Sequence, residues 1–388
     1  MSGHIVGFTS TGSKRPETLF GSQDPELPYR MSRSSGCRVW DENGREYVDY
    51  LMGLGSVALG YGHPEVTRAA SEAVAGGVVG PLAPMLEEEL GAEICRLMPG
   101  VEQVRFLKSG AEAVAAAVRL ARVATGREHV LGCGYHGWLD WCQGAAGVPH
   151  STRMLYGELP FNEPDRARAQ IRSVGDRLAA VVFEPVIITA PDAEWLRVVR
   201  EETTRCGALL VVDEIKTACR LAVGGASERY QIRPDLIAIG KALANGFPLA
   251  AVGGRREVMA GVGRTWISST LATEFVSLAA AKATLGVMVG SRVPEHLARV
   301  GTRLRQGLEA LHREHSDLVA GVGGIPEMCF LHYADEAVSR AVTAACAQTG
   351  LIFKRSAYNF VSLAHDEAIV DRTLEQLREA LSAVTKPA

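Results

Sequence analysis

Little in the 388-residue chain ties it to nucleic acid, a membrane or a metal. Its 41 Lys and Arg stand against 44 Asp and Glu, a formal net charge of −3. No basic excess is available to neutralise a phosphate backbone or an anionic lipid surface. No apolar run reaches the length needed to span a bilayer. The segment Met1 to Arg15 is rich in Gly, Ser and Thr and lacks an apolar secretory core. The 8 cysteines (Cys37, Cys95, Cys133, Cys142, Cys206, Cys219, Cys329 and Cys346) form no CxxC pair. No His/Cys cluster has metal-ligand spacing, so no metal site is expected. The pattern suits reduced thiols in a cytoplasmic protein. Internal repeats and low-complexity segments are also missing.

What is present describes a two-domain globular chain. Hydrophobic residues make up 47% and charged residues 22%, over a length that exceeds one typical core. Residues 1–35 are polar and punctuated by Gly, Pro and Ser, and read as an arm or loose segment. Residues 38–49 read as a hairpin around Asn43-Gly44. Helical patterns cover 64–75, 84–98 and 112–124. Short apolar runs then alternate with helical patterns, the strand candidates being 129–131, 179–183, 208–212, 236–239 and 249–253. That alternation predicts βαβ units and a mostly parallel sheet. An Ala-rich helix starts at 273, and after about 290 two amphipathic helices (293–314 and 371–384) flank a few strands. The expected division is an N-terminal arm and hairpin over 1–60, a large domain over 61–285 and a small α+β domain over 286–388.

Two residues carry the chemistry. Asp213 follows the apolar run Ala-Leu-Leu-Val-Val (208–212), and Lys241 closes Pro-Asp-Leu-Ile-Ala-Ile-Gly-Lys (234–241). Each reads as a buried strand delivering a charged group at its end. A solvated ion pair is the plain alternative. A buried acid and amine on neighbouring strand ends are costly unless they serve each other or a ligand. Pyridoxal phosphate would use both, the lysine as Schiff base and the aspartate on the pyridinium nitrogen. Ser109-Gly110-Ala111, at a strand end opening a helix, would seat a phosphate, although Ser109 with Glu112 also fits a capping box. Tyr135 sits in a Gly-flanked aromatic loop that could stack on a flat ring or cover a hydrophobic cluster. Glu184 stands at a strand end before Pro185, Ile215 could pack on a ring, and Ser268-Ser-Thr270 offers hydroxyls before the Ala-rich helix. All these pieces share one position, the C-terminal strand edges where α/β sheets bind ligands.

In this order the pieces resemble the class III aminotransferases, fold-type I pyridoxal phosphate enzymes, and within them the glutamate-1-semialdehyde aminomutase branch. The resemblance runs from about 36 to 383. It rests on Val39-Trp-Asp-Glu-Asn-Gly-Arg-Glu-Tyr-Val-Asp-Tyr, Leu59-Gly-Tyr-Gly-His-Pro-Glu-Val and Val104-Arg-Phe-Leu-Lys-Ser-Gly-Ala-Glu-Ala. Gly134-Tyr-His-Gly, Glu184-Pro-Val, Val212-Asp-Glu-Ile-Lys-Thr-Ala-Cys-Arg, Pro234 to Lys241 and Phe360-Val-Ser-Leu-Ala-His complete it. It implies a large domain with a mostly parallel, seven-stranded-type sheet and a smaller α+β domain built from the C-terminus and an N-terminal segment.

The resemblance also implies roles. Lys241 forms the Schiff base with pyridoxal 5'-phosphate and shuttles the proton, and Asp213 keeps the ring nitrogen protonated. Tyr135 stacks on one ring face and Ile215 packs on the other, with His136 and Glu184 among the cofactor contacts. Ser109, Gly110 and Ala111 seat the phosphate, and Thr270 completes the seat from a second subunit, implying a homodimer with shared sites. Four stretches depart from the branch: Ser-Gly-Ala for Ser-Gly-Thr, Glu17-Thr-Leu-Phe-Gly where an early Arg is expected, Thr189 or a neighbour for an Asn, and Ser356-Ala-Tyr-Asn near the C-terminus. With no arginine at the matching N-terminal place, the cationic candidates for a substrate carboxylate are Lys216, Arg220, Lys354 and Arg355. The leading expectation is therefore an aminotransferase moving an amino group from an amino acid to a small-molecule aldehyde or ketone in a biosynthetic pathway. The alternatives are an aminomutase or epimerase using the same residues, and a non-catalytic module of the same fold.

Overall fold

The computed structural model describes residues 4–24 and 26–384. Its contacts divide the chain at His63/Pro64 and Pro294/Glu295, and the N-terminal segment joins the C-terminal one in a single unit. That unit opens with β1 (Met31–Ser35), β2 (Arg38–Asp41) and β3 (Glu46–Asp49), paired antiparallel. The hairpin turn is held by Asp41, whose Oδ1 accepts the N–H groups of Asn43 (2.9 Å) and Arg45 (2.8 Å) while Gly44 takes φ 82°. Within the first 35 positions, the described residues are more ordered than their composition predicts. A short helix at Pro16–Leu19 and β1 lie within them, and Phe20 and Leu27 are buried with Ala347. Two apolar anchors fix a segment whose average is polar.

The second unit carries β4 (Gln103–Leu107), β5 (His129–Cys133), β6 (Tyr156–Glu158), β7 (Leu178–Phe183), β8 (Leu209–Asp213), β9 (Leu236–Ile239) and β10 (Ala250–Gly254). They form one 7-stranded sheet in the order β4-β10-β9-β8-β7-β5-β6. β10 runs antiparallel to both neighbours and the other pairs are parallel. β7, β8 and β9 are buried at every position, as the continuous apolar runs of interior parallel strands require. β6 escaped the sequence reading because Tyr-Gly-Glu is too short to show a period.

Three longer helices of this unit matter for the site: α1 (Pro64–Ala75), α2 (Gly110–Thr125) and α3 (Phe275–Gly290). In α2 one face is almost all alanine and valine, so the helix lies close against Val130, Ala180, Val182, Val211, Ala238 and Val252 of the sheet. Each fully buried Val or Leu in such a layer stabilises by about 1.5–3 kcal/mol. α2 starts at a capping box on Ser109 and stops at Gly126, φ 68°. α3 starts at Phe275 rather than 273, because Glu274 accepts the N–H groups of Val276 and Ser277 and is the cap.

The first unit resumes with β11 (Val319–Ile325), β12 (Met328–Tyr333), β13 (Leu351–Ile352) and β14 (Asn359–Phe360). β13 pairs with β3 in parallel and ties the two ends of the chain into one sheet. All 8 cysteines are free. No single described helix is long and apolar enough to cross a membrane.

Candidate active site

Ser109, Tyr135, His136, Glu184, Asp213 and Lys241 stand at or just past the C-terminal ends of β4, β5, β7, β8 and β9, so the sheet topology gathers them at one edge. β4 delivers Ser109 and β5 delivers Tyr135 and His136. β7 delivers Glu184, β8 ends on Asp213, and β9 leads through Gly240 to Lys241.

Glycines show how close these loops approach. A Cβ at Gly110 would stand 3.0 Å from Ile215, and one at Gly240 would stand 3.1 Å from the same side chain. Ile215 therefore packs between the turn after β4 and the turn carrying Lys241. A Cβ at Gly134 would meet Glu184 at 2.9 Å, and one at Gly137 would meet Ala111 at 2.5 Å. The loop 134–143 is braced internally as well: Gln143 Nε2 donates to the Gly137 carbonyl at 2.6 Å.

The polar groups are specifically partnered. Asp213 is buried; its Oδ2 lies 2.8 Å from His136 Nδ1, and its Oδ1 accepts the Ile215 N–H at 3.2 Å. Buried Glu184 accepts the Tyr135 N–H at 3.1 Å and pairs with Lys216 Nζ at 2.5 Å. Lys241 occupies a left-handed backbone conformation, φ 45°, rare for a residue with a side chain. Burial lowers its amine below the usual lysine range, reinforced by the Lys216 cation, while Glu184 and Asp213 pull the other way. A lysine so placed keeps more of its amine neutral and nucleophilic.

Ser109 realises its capping role. Its hydroxyl faces the Glu112 carboxylate and accepts the Glu112 N–H at 3.3 Å. The Gly110 and Ala111 N–H groups belong to the first helical turn, where no intrahelical acceptor exists, and they point a positive helix end at the site. The Tyr135 side chain is 68% exposed. Thr270 is exposed in the turn before α3. Its segment is anchored by Arg105 Nε on the Ile267 carbonyl (2.6 Å) and by Arg119 on the Trp266 carbonyl (2.7 Å). Arg220 is fully buried, and its charge acts on Lys241.

Lys354 and Arg355 belong to the other unit. Arg355 is engaged by Glu336 (2.8 and 2.7 Å) and by the carbonyls of Glu17 (3.2 Å) and Thr18 (3.3 Å). The Lys354 amine is lowered by burial first and by Arg355 second.

Two features had no local signal in the sequence. His136 and Asp213 meet across 77 positions. Lys108 and Glu274 form an ion pair at 2.6 Å that joins the residue before Ser109-Gly110-Ala111 to the cap of α3. Burial pushes the Glu274 carboxyl up, but hydrogen bonds from Lys108 and Ser277 outweigh it and hold the group below its ordinary value. An acid ahead of an Ala-rich run was the available clue to that cap.

A helix N-terminus, a buried acid and a lysine of lowered basicity around one strand edge suit a phosphorylated pyridine aldehyde. The chain matches the Aminotransferase class-III family over residues 20–385 and belongs to it. It is 36% identical over 417 aligned residues to a glutamate-1-semialdehyde 2,1-aminomutase of Thermomicrobium roseum, covering 98% of this chain and 96% of that one. Among solved structures it resembles the FumI protein of Sphingopyxis sp. MTA144, solved with PLP (TM-score 0.90, 28% identity, 99% of this chain and 92% of that one). A β-phenylalanine aminotransferase from Variovorax paradoxus is also similar (TM-score 0.86, 29% identity, 97% and 90%).

Proposed function

We propose that the chain is a pyridoxal phosphate-dependent aminotransferase that moves an amino group from an amino acid to the carbonyl of a small molecule. The observation that carries this reading is the pairing of Asp213, fixed by His136 and the Ile215 N–H, with Lys241, whose amine is lowered by burial at the next strand end.

Pyridoxal phosphate, when bound, supplies an electrophilic carbonyl carbon and an electron-withdrawing ring. Lys241 Nζ binds the cofactor and carries a proton to and from the substrate carbon. Asp213 holds the ring nitrogen in its protonated form. The Gly110 and Ala111 N–H groups with Ser109 seat the phosphate at the positive end of α2. Ile215 excludes water from one ring face and Tyr135 covers the other.

The second copy that Thr270 requires has support in exposed apolar side chains. Val78, Val79, Leu82 and Met85 are exposed on one segment, and Trp266 and Leu271 on another. The Phe275 N–H donates to the Val78 carbonyl at 2.9 Å, so these segments adjoin. Large apolar side chains exposed on two adjoining segments are what a second copy would cover. Arg220, Lys354 and Arg355 are the candidates for a donor carboxylate; Ala substitution of each, with donor and acceptor half-reactions measured apart, assigns the contact.

The aminomutase reading keeps one specific support, the 36% identity to an aminomutase. One experiment separates the two. The purified protein is mixed with pyridoxal phosphate and single amino acids, and the bound cofactor's absorbance is followed. Conversion to pyridoxamine phosphate by one donor supports transamination. Turnover of a single amine-bearing substrate with no separate donor supports the mutase. Inertness toward both contradicts the proposal.

A further inference from the structure

We propose that Lys108 and Glu274 are positioning residues: their ion pair holds the loop that carries Thr270 against the β4–α2 turn, and phosphate retention depends on it although neither side chain belongs to the phosphate seat. This rests on the proposed function, in which that loop completes the seat of a second copy.

The loop leading into α3 is fastened at both ends by cations of the β4–α2 segment. At its start Arg105 Nε donates to the Ile267 carbonyl at 2.6 Å and Arg119 to the Trp266 carbonyl at 2.7 Å. The Ile267 side chain is buried in the layer that α2 covers. At its end Lys108 Nζ donates to Glu274 Oε1 at 2.6 Å. Between these anchors Ser268, Thr270 and Leu271 are exposed, so the Thr270 hydroxyl is presented on a short span held at 267 and 274.

Glu274 does two jobs. It caps α3, accepting the Val276 N–H at 2.7 Å and the Ser277 N–H at 3.0 Å, and it takes the Lys108 ammonium. The main chain of Lys108 is fixed as well. Its N–H donates to Glu112 Oε2 at 3.2 Å, and the same oxygen accepts the Ser109 N–H at 2.8 Å. One residue therefore links the capping carboxylates of α2 and α3. The pair is shielded, with side-chain exposures of 18% and 10%, so salt screens it weakly. A loop fixed in advance loses little freedom when a ligand arrives, and affinity gains by the ordering cost avoided. The competing role for Lys108 is a direct cation for the phosphate. The two roles predict opposite signs: freeing the ammonium from Glu274 would strengthen a direct phosphate contact, whereas it releases a positioned loop and weakens binding.

The test compares the wild type with Lys108→Met and Glu274→Asp. Aspartate preserves a helix cap but is one methylene shorter and withdraws from the ammonium. Binding of pyridoxal phosphate, and of pyridoxal, which lacks the phosphate, is measured by equilibrium dialysis. Hydrogen exchange of residues 265–274 is followed on the apoenzyme by mass spectrometry. Both variants should bind pyridoxal phosphate at least tenfold more weakly, bind pyridoxal as the wild type does, and exchange the loop at least tenfold faster. Equal weakening toward both ligands would reduce the pair to general stability and overturns the inference. Unchanged or tighter pyridoxal phosphate binding by Glu274→Asp overturns it, as does a wild-type exchange rate in both variants; each leaves the proposed function standing. A wild type that binds neither ligand overturns both. Should Lys108→Met not fold, Glu274→Asp decides alone.

Discussion

Gly137 lies directly on Ala111: a Cβ at 137 would come within 2.5 Å of the Ala111 Cβ, and φ at 137 is +99°. The aromatic loop after β5 therefore rests on the first turn of α2, and the two halves of the proposed site, ring contacts and phosphate seat, are positioned by one contact. Gly137→Ala is expected to strain the backbone and push the loop off the helix, at a cost of about 1–3 kcal/mol. Pyridoxal phosphate affinity should fall at least tenfold, measured by equilibrium dialysis. Unchanged affinity would mean that the loop does not position the cofactor.

Glu184 and Lys216 form a buried pair at 2.5 Å, with side-chain exposures of 11% and 10%. Glu184→Gln retains an acceptor for the Tyr135 N–H but leaves a buried ammonium with less compensation. A loss of about 3 kcal/mol in urea unfolding is expected, typical of removing one member of a buried pair. Lys216→Met leaves the Glu184 carboxylate uncompensated in turn, whereas the double variant Glu184→Gln/Lys216→Met leaves neither charge and should cost less than the sum of the two single changes. Additive losses in the double variant would show that the charge pairing is not the cause.

Lys241 makes the apoenzyme's stability depend on pH. Its folded value is lowered below the ordinary 10.5 by burial. Between the lowered value and 10.5 the unfolded chain binds a proton that the folded chain does not, so stability rises with pH across that window. Below the window the buried ammonium is a cost to folding. Apo Lys241→Met should therefore melt a few degrees higher than the wild type at neutral pH and lose part of that rise toward alkaline pH. A lower melting temperature at neutral pH would contradict the assigned cause.

Much of this was legible in the chain. Continuous apolar runs such as Leu236–Ile239 showed buried parallel strands, because interior strands need no alternation, and their ends located Asp213 and Lys241. The same logic failed where information was not local. β13 pairs with β3 across some three hundred residues, and the N-terminal segment is held by the buried Phe20 and Leu27 and by Arg355 on the Glu17 and Thr18 carbonyls. The start of α3 falls two residues later than the Ala-rich pattern placed it, because Glu274, fixed by Lys108, is the cap. His136 was legible as part of a motif. Its contact with Asp213 was not, since strand order rather than spacing creates it.

Asp213→Asn replaces the group proposed to hold the ring nitrogen protonated and keeps its shape. The rate should fall at least a thousandfold, about 4 kcal/mol of lost transition-state stabilisation, in line with deletion of other preorganised electrostatic contacts. Folding should change little, as judged by urea unfolding of the apoenzyme. A loss under tenfold would assign the ring nitrogen to another acid.

The central claim is that Lys241 is the amine that binds pyridoxal phosphate covalently. Borohydride reduction of the holoenzyme, followed by intact mass and peptide mapping, tests it most directly. One phosphopyridoxyl group per chain should be fixed, on the peptide containing Lys241. Lys241→Ala should bind the cofactor yet retain none after reduction and unfolding. A label on Lys108, Lys216 or any other lysine in the wild type, or an undiminished label in the Ala variant, would contradict the account.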